Sequence, residues 1–214
     1  MRYIALFKPY GVLSCFTHEL QQGERPKRTL SEFGLPPGVY AAGRLDVDSE
    51  GLLLLSDDGR FIHRVTHPRY KQPKTYYVLV EGVPTTDKLA QLRRGVIVKG
   101  YRTQPCEVEL LSNPPALPPR EKPVTPHGPT AWLVLTLREG KKRQVRHMTA
   151  AVGLPTLRLM RIQIGCVRLD GLLPGQWRDL TPAEVRGLLR PPRQTASAAG
   201  PQRAPHHARQ HGKS

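Results

Sequence analysis

Apolar positions along this chain come in short bursts broken by Gly, Pro and acidic turns, not in long stripes. Residues 3–7 read as an opening strand, stopped by the turn Lys8-Pro9-Tyr10-Gly11. Thr29-Leu30-Ser31-Glu32 has capping-box spacing and predicts a short helix ended by Gly34. Residues 39–42 lead as a strand into a polar segment, and the apolar run 52–55 predicts a short buried strand. Asp57-Asp58-Gly59 opens a helix over 60–66 that stops before Pro68. Partial alternation over 74–81 predicts a strand, 86–94 a helix closed by Gly95, and 96–98 and 106–111 two further strands. Seven prolines within 113–129 mark a surface loop that bridges two strands. Beyond it lie a strand over 131–138, a helix over 143–152 with Val145, Met148 and Val152 on one face, and a strand over 157–164. Thr181-Pro182-Ala183-Glu184 is a capped helix start. Strands and helices alternate irregularly, with several strands as near neighbours. The expected fold class is α+β, with a mixed, mainly antiparallel sheet, flanking helices and two lobes around a cleft.

Charge sharpens that picture. The 214 residues hold 33 Lys and Arg against 17 Asp and Glu, a formal net charge of +16. Residues 191–214 contribute Arg193, Arg203, Arg209 and Lys213, no acid and almost nothing bulky and apolar. They predict a disordered basic tail behind a folded unit of residues 1–190. Without those four cations the body still carries +12, so the excess belongs to the folded part. Such a surface suits a phosphate backbone. Cys15, Cys106 and Cys166 are odd in number and far apart, which suits three buried thiols in a reducing compartment and offers no metal signature. His206 and His207 fall in the tail, where solvation is the simpler reading than metal binding. The N-terminal apolar run is too short for a signal peptide, and no segment is long enough to span a bilayer, so a cytoplasmic protein is expected.

Three places could carry chemistry. Asp46, in Gly43-Arg44-Leu45-Asp46, sits in a tight polar segment before an apolar strand. It reads either as a turn-closing Asp paired with an Arg or as a carboxylate nucleophile or base kept ionised by a nearby cation. Lys141-Lys142-Arg143-Gln144-Val145-Arg146-His147 opens a helix, and helical spacing would put Lys142 and Arg146 on one face. This basic helix start suits phosphate contacts, a counter-ion for Asp46, or both. Lys74-Thr75-Tyr76-Tyr77 places two tyrosines on opposite faces of a strand, one of which should be core and the other able to stack on a base or move a proton.

In order along the chain, these segments resemble the RsuA-like pseudouridine synthases. The likeness rests on Lys8-Pro9-Tyr10-Gly11-Val12, on Gly43-Arg44-Leu45-Asp46 with Ser49-Glu50-Gly51-Leu52-Leu53, and on Lys74-Thr75-Tyr76. It continues through Glu139-Gly140-Lys141-Lys142-Arg143-Gln144-Val145-Arg146-His147-Met148, then Leu159-x-Arg161 to Ile164-Gly165. It covers roughly residues 2–182 and is nearest the E type of large-subunit ribosomal RNA synthase. Many relatives carry a small S4 domain ahead of the first motif. That motif starts here at residue 8, so the expectation is a synthase without one.

The resemblance implies that Asp46 is the catalytic carboxylate, Tyr76 the active-site tyrosine and Arg146 the basic residue paired with the Asp. Leu159 would line the base pocket. One departure is His147, where relatives usually have a second Arg. Arg44, Lys8, Lys74, Lys141, Lys142 and Arg143 are candidate RNA contacts. The implied reaction turns one uridine of 23S rRNA into pseudouridine, with no cofactor and no metal. The implied partner is 23S rRNA or a large-subunit assembly intermediate, not a membrane, with the protein a monomer. Alternatives are a synthase acting on tRNA or small-subunit rRNA, and a non-catalytic assembly factor on the same scaffold.

Overall fold

The computed structural model describes residues 1–18 and 26–190. The expected basic tail and the His206–His207 pair lie outside these residues. The described residues begin with three strands, β1 (Tyr3–Lys8), β2 (Tyr40–Ala41) and β3 (Glu50–Ser56), every residue of the last buried. α1 (Gly59–Thr66) follows, its N-cap Asp58 accepting hydrogen bonds from the backbone N–H groups of Arg60 and Phe61. A single 3-10 turn, Pro68–Tyr70, leads into β4 (Lys74–Glu81) and then α2 (Thr86–Arg94), capped by Thr85. The two-residue strands β5 (Ile97–Val98) and β6 (Tyr101–Arg102) pair as a separate ribbon. β7 (Glu107–Leu110) and β8 (Thr130–Leu137) flank the proline-rich loop, and α3 (Gln144–Ala151) precedes β9 (Thr156–Ile164). The described residues close with β10 (Val167–Arg168), β11 (Trp177–Asp179) and α4 (Pro182–Leu189), whose Thr181–Glu184 capping box forms in full.

The main sheet runs β11-β1-β3-β9-β4-β8-β7, with β2 added beside β3 and β10 beside β9. All pairings are antiparallel except β3 with β9, which run parallel through only Glu50–Met160 and Gly51–Arg161. This seam divides the sheet into two antiparallel halves. Gly51 sits there at φ +104°, and a Cβ on it would strike the Arg161 carbonyl, so only glycine lets the backbones approach. One apolar cluster packs α2 and α3 against β4, β8 and β9, around Val78, Leu92, Leu133 and Met148. A second lies under β1 and β3 with α1 and α4, around Phe7, Leu54, Phe61 and Leu188. A third covers the other face of β1 and β3, around Leu6, Leu30 and Leu53.

Local departures have simple causes. The segment after Thr29 is a 3-10 turn, Leu30–Phe33, without the capping bond. The Thr29 hydroxyl donates instead to the Phe16 carbonyl. The thiols are free, but Cys166 is exposed and Cys15 and Cys106 are only partly buried, so three buried thiols was too simple. Among the described residues no helix is long and apolar enough to cross a membrane.

Candidate active site

A cleft of about 640 Å³ opens along the seam. Asp46 stands on the loop entering β3, and that loop is pinned from three sides. The Ser14 hydroxyl donates to the Leu45 carbonyl at 2.8 Å and accepts from the Leu45 N–H at 3.0 Å. Gly11 N–H donates to the Val47 carbonyl at 2.8 Å, and Ser49 N–H closes a turn onto the Asp46 carbonyl at 3.0 Å. The Lys8-Pro9-Tyr10-Gly11 turn therefore serves as a backstop for the acid. The Asp46 side chain is left 31% exposed, open to a ligand.

The opposite wall comes from the other half-sheet. Tyr76 lies on the buried face of β4, and Leu159 on β9 is likewise buried; both line the cleft with Asp46. The β4–β9 register slips between Thr75 and Tyr76, so Thr75 faces Gln163 while Tyr76 faces Arg161. Such irregularities re-aim side chains. The tyrosine that reaches the cleft is thus the buried one of the pair, whereas the half-exposed Tyr77 points away from it.

The cationic wall differs from expectation at two residues. Arg146 does not grip Asp46. Its Nη2 donates to the Asp48 carbonyl oxygen at 2.7 Å, its Nη1 to the Thr156 carbonyl at 3.1 Å, and its Nε stands 3.4 Å from the Asp48 carboxylate. The cation nearest Asp46 is Arg143, with Nη1 at 4.0 Å from the carboxylate, while its two ends bind Asp48 at 2.9 Å each. The cause is local. Arg143 caps α3 in the left-handed conformation, φ +55°, which swings its side chain toward Asp48. Because α3 starts only at Gln144, Lys142 and Arg146 do not share a helical face; Lys142 is exposed at the cleft mouth.

Burial tends to raise the Asp48 carboxyl, but the Arg143 hydrogen bonds and the charges of Arg146 and Arg143 prevail and hold it below the usual range. Burial lowers the Arg146 guanidinium, against the pull of Asp48.

Lys8 is the second correction. Expected to touch phosphate, it is fully buried, and its ammonium donates to the Pro9 and Val12 carbonyls at 2.9 and 2.7 Å. Burial pushes its pKa down to about 8, although Glu50 and Asp48 pull the other way. Lys74 does line the cleft, held by the Gln72 carbonyl at 3.1 Å; burial and then the charge of Arg161 bring it to about 8. Arg44 and Lys141 line the cleft as well, both exposed, and the Lys141 ammonium sits 3.2 Å above the Tyr101 ring. His147 takes no part in the cleft lining. Burial, with the charges of Lys99 and Arg143, keeps its ring below the ordinary histidine range.

Several residues of the site were given no role from sequence, although Ser49, Gln144 and Arg161 stand in the motifs quoted above. Asp48 organises both arginines. Gln144, buried at the start of α3, accepts from Lys141 N–H and donates to Glu139, fixing the 139–144 turn. Arg161 and Ser49 are buried at the cleft, and among the described residues Arg161 Nη2 and Ser49 Oγ have no hydrogen-bond partner. Buried groups of this kind normally find one, so these two are poised for a ligand. Among the described residues eight Lys or Arg line the cleft against Asp46 and Glu139, which suits an anion. Among the described residues no three His, Cys, Asp or Glu gather to hold a metal.

Comparison with known proteins agrees with this geometry. The family model described as RNA pseudouridylate synthase matches residues 2–151. The ribosomal large subunit pseudouridine synthase E of Xanthomonas axonopodis pv. citri (strain 306) is 58% identical over 173 residues, 80% of this chain and 90% of that protein. The synthase E of Vibrio vulnificus (strain CMCP6) is 48% identical over 183 residues, 84% of this chain and 76% of the other. A crystal structure of a pseudouridylate synthase superposes with a TM-score of 0.73 at 31% identity, covering 88% of this chain and 74% of that one. On fold, motif order and family match together, the chain belongs to the RNA pseudouridylate synthase family.

Proposed function

We propose that the protein isomerises a uridine of 23S rRNA, the large-subunit ribosomal RNA, to pseudouridine, with Asp46 as its catalytic carboxylate. The observation that carries this is a half-open Asp46 in a cationic cleft, faced by Tyr76 and Leu159 across the seam. The choice of RNA rests on the high identity to synthases named for the large ribosomal subunit.

In the reaction the C1′–N1 bond breaks, the uracil turns, and C5 bonds to C1′. N1 gains a proton and C5 loses one, so the conversion is redox-neutral. The nucleotide must leave its stack to enter the cleft. Asp46 either attacks C1′ or C6, or acts while a glycal forms by loss of the C2′ proton, and in the last route Tyr76 would take that proton. Arg143 holds a positive charge 4.0 Å from the Asp46 carboxylate, and Arg146 positions the pair at one remove by holding Asp48. Leu159 and the Tyr76 ring supply flat apolar contact for the base. Arg161 Nη2 and Ser49 Oγ are donors for its carbonyls or an adjacent phosphate. Arg44, Lys74, Lys141 and Lys142 contact the backbone, which positions RNA without reading sequence. In this reading residues 1–190 form the catalytic unit, working as a monomer in the cytoplasm.

The test is to map pseudouridine in rRNA from cells lacking the gene, restored with wild type or Asp46→Asn. Loss of one 23S site, rescued by wild type alone, is the expected result. Rescue by Asp46→Asn would overturn the carboxylate assignment. An unchanged 23S map with a site lost from tRNA or small-subunit rRNA would overturn the substrate.

A further inference from the structure

Next to the cleft, α1 and the 3-10 turn after it build a basic aromatic face. The Arg64 guanidinium lies 3.9 Å from the Tyr70 ring centre and that of Arg69 5.0 Å from it. His63 adds ring contacts of 5.7 Å to Tyr70 and 4.8 Å to His67. Arg60, His63, Arg64 and Tyr70 line a shallow depression that ends at Leu189. His67 and Lys71, from the same stretch, line the catalytic cleft. The two concavities thus share one ridge.

Little offsets the charge of this ridge: Asp58, the N-cap of α1, faces Arg60 alone among its arginines. Residues 59–73 contain four Lys or Arg and no Asp or Glu. Among the described residues no carboxylate pairs with Arg64 or Arg69, whereas Arg143, Arg158 and Arg178 each hold one. The Arg64 Nε is buried without a hydrogen-bond partner. A guanidinium held against a ring loses little freedom on binding and can still turn N–H groups to a phosphate.

We infer that this ridge is a second RNA-docking surface, which holds the segment flanking the nucleotide in the cleft. It rests on the RNA-modifying function proposed above. The chain's own continuation past Leu189 is the nearest alternative occupant, but residues 191–214 carry four cations and no acid, so like charge opposes it. A polyanion whose modified nucleotide sits at Asp46 and whose chain leaves the cleft past His67 and Lys71 carries its more distant flanking segment onto this ridge.

The experiment compares full-length wild type, Arg69→Gln and Arg64→Gln/Arg69→Gln on two RNAs. One is a long rRNA fragment; the other is a pentanucleotide with a central uridine, too short to leave the cleft. The double variant should bind the long fragment on the order of 10-fold more weakly at moderate salt. The slope of log K against log salt should fall by roughly 1 per arginine removed. Pentanucleotide binding should not change. The exposed Arg69→Gln alone should give part of the same loss, which guards against a folding defect in the double variant. Unchanged affinity and slope on the long fragment would overturn the proposal, as would an equal loss on both RNAs. Failure of the functional reading shows elsewhere, as wild-type protein that forms no pseudouridine in any RNA.

Discussion

Arg143 binds Asp48 through two parallel hydrogen bonds of 2.9 Å and thereby stays 4.0 Å from Asp46 without closing on it. Arg146 reaches the same residue through its carbonyl oxygen. Asp48 therefore binds both ends of Arg143 and, with the Thr156 carbonyl, holds Arg146, which leaves Asp46 the field of a cation but not its grip. Asp48→Asn should release Arg143 onto Asp46. The expected result is a fall in single-turnover rate of about 10²-fold with RNA affinity nearly kept, since small misplacements of a reacting group cost that much. A rate near wild type would show that Asp48 does not position the pair.

Lys8 predicts a pH signature. Its pKa is lowered to about 8 in the fold, against an ordinary value of about 10.4 in the unfolded chain. Between those values the unfolded state binds more protons, so stability rises with pH across about pH 8–10. Lys8→Met should flatten part of that rise, Lys74 supplying the remainder. Denaturant melts of the two proteins at pH 7, 8.5 and 10 measure it, and parallel pH profiles would count against a cation held at cost.

Ser49→Ala separates stability from function. The hydroxyl is buried and unpaired, so removing it should leave the fold as stable or more so, by up to ~1 kcal/mol. If it donates to substrate, activity at low RNA concentration should fall by roughly 2–10-fold, the worth of one hydrogen bond. Unaltered kcat/KM would remove Ser49 from the site.

Gly51→Ala should be far worse than its size suggests. The added methyl would meet the Arg161 carbonyl across the parallel seam, at a backbone angle of φ +104°. Overpacking and strain together should cost about 3 kcal/mol or more. Thermal unfolding would show it, and a midpoint within a few degrees of wild type would mean the seam can open without penalty.

Much of this architecture was legible where sequence pattern and structure share a local cause. Alternation over 74–81 gave β4 its true bounds, and Thr85 and Gly95 bracket α2 as capping residues should. β6, β10 and β11 escaped because two or three residues carry no period; they are strands only because a neighbour pairs with them. The motif residues Asp46, Tyr76 and Leu159 converge on one cleft, yet the pairing of the arginines was misread. Helical spacing put Lys142 and Arg146 on one face, but it says nothing of the left-handed cap at Arg143 that starts α3 only at Gln144. Lys8 was misread for a related reason: a lysine folding back on carbonyls one and four residues ahead looks, in sequence, like any surface cation.

The β1–β11 pairing has a consequence for synthesis. Ile4 lies opposite Asp179, and the seam joins Gly51 to Arg161. Contacts of such long sequence separation are slow to form, because the loop must close before they stabilise anything. The Asp46 loop and its Ser14 brace are local and can take shape while the ribosome is still translating. The wall bearing Tyr76 and Leu159 cannot be docked against them until β9 has emerged, and β1 keeps a bare edge until β11 follows. An unfinished chain therefore carries the acid without the cleft, and competence arrives late, with the last strands of the sheet.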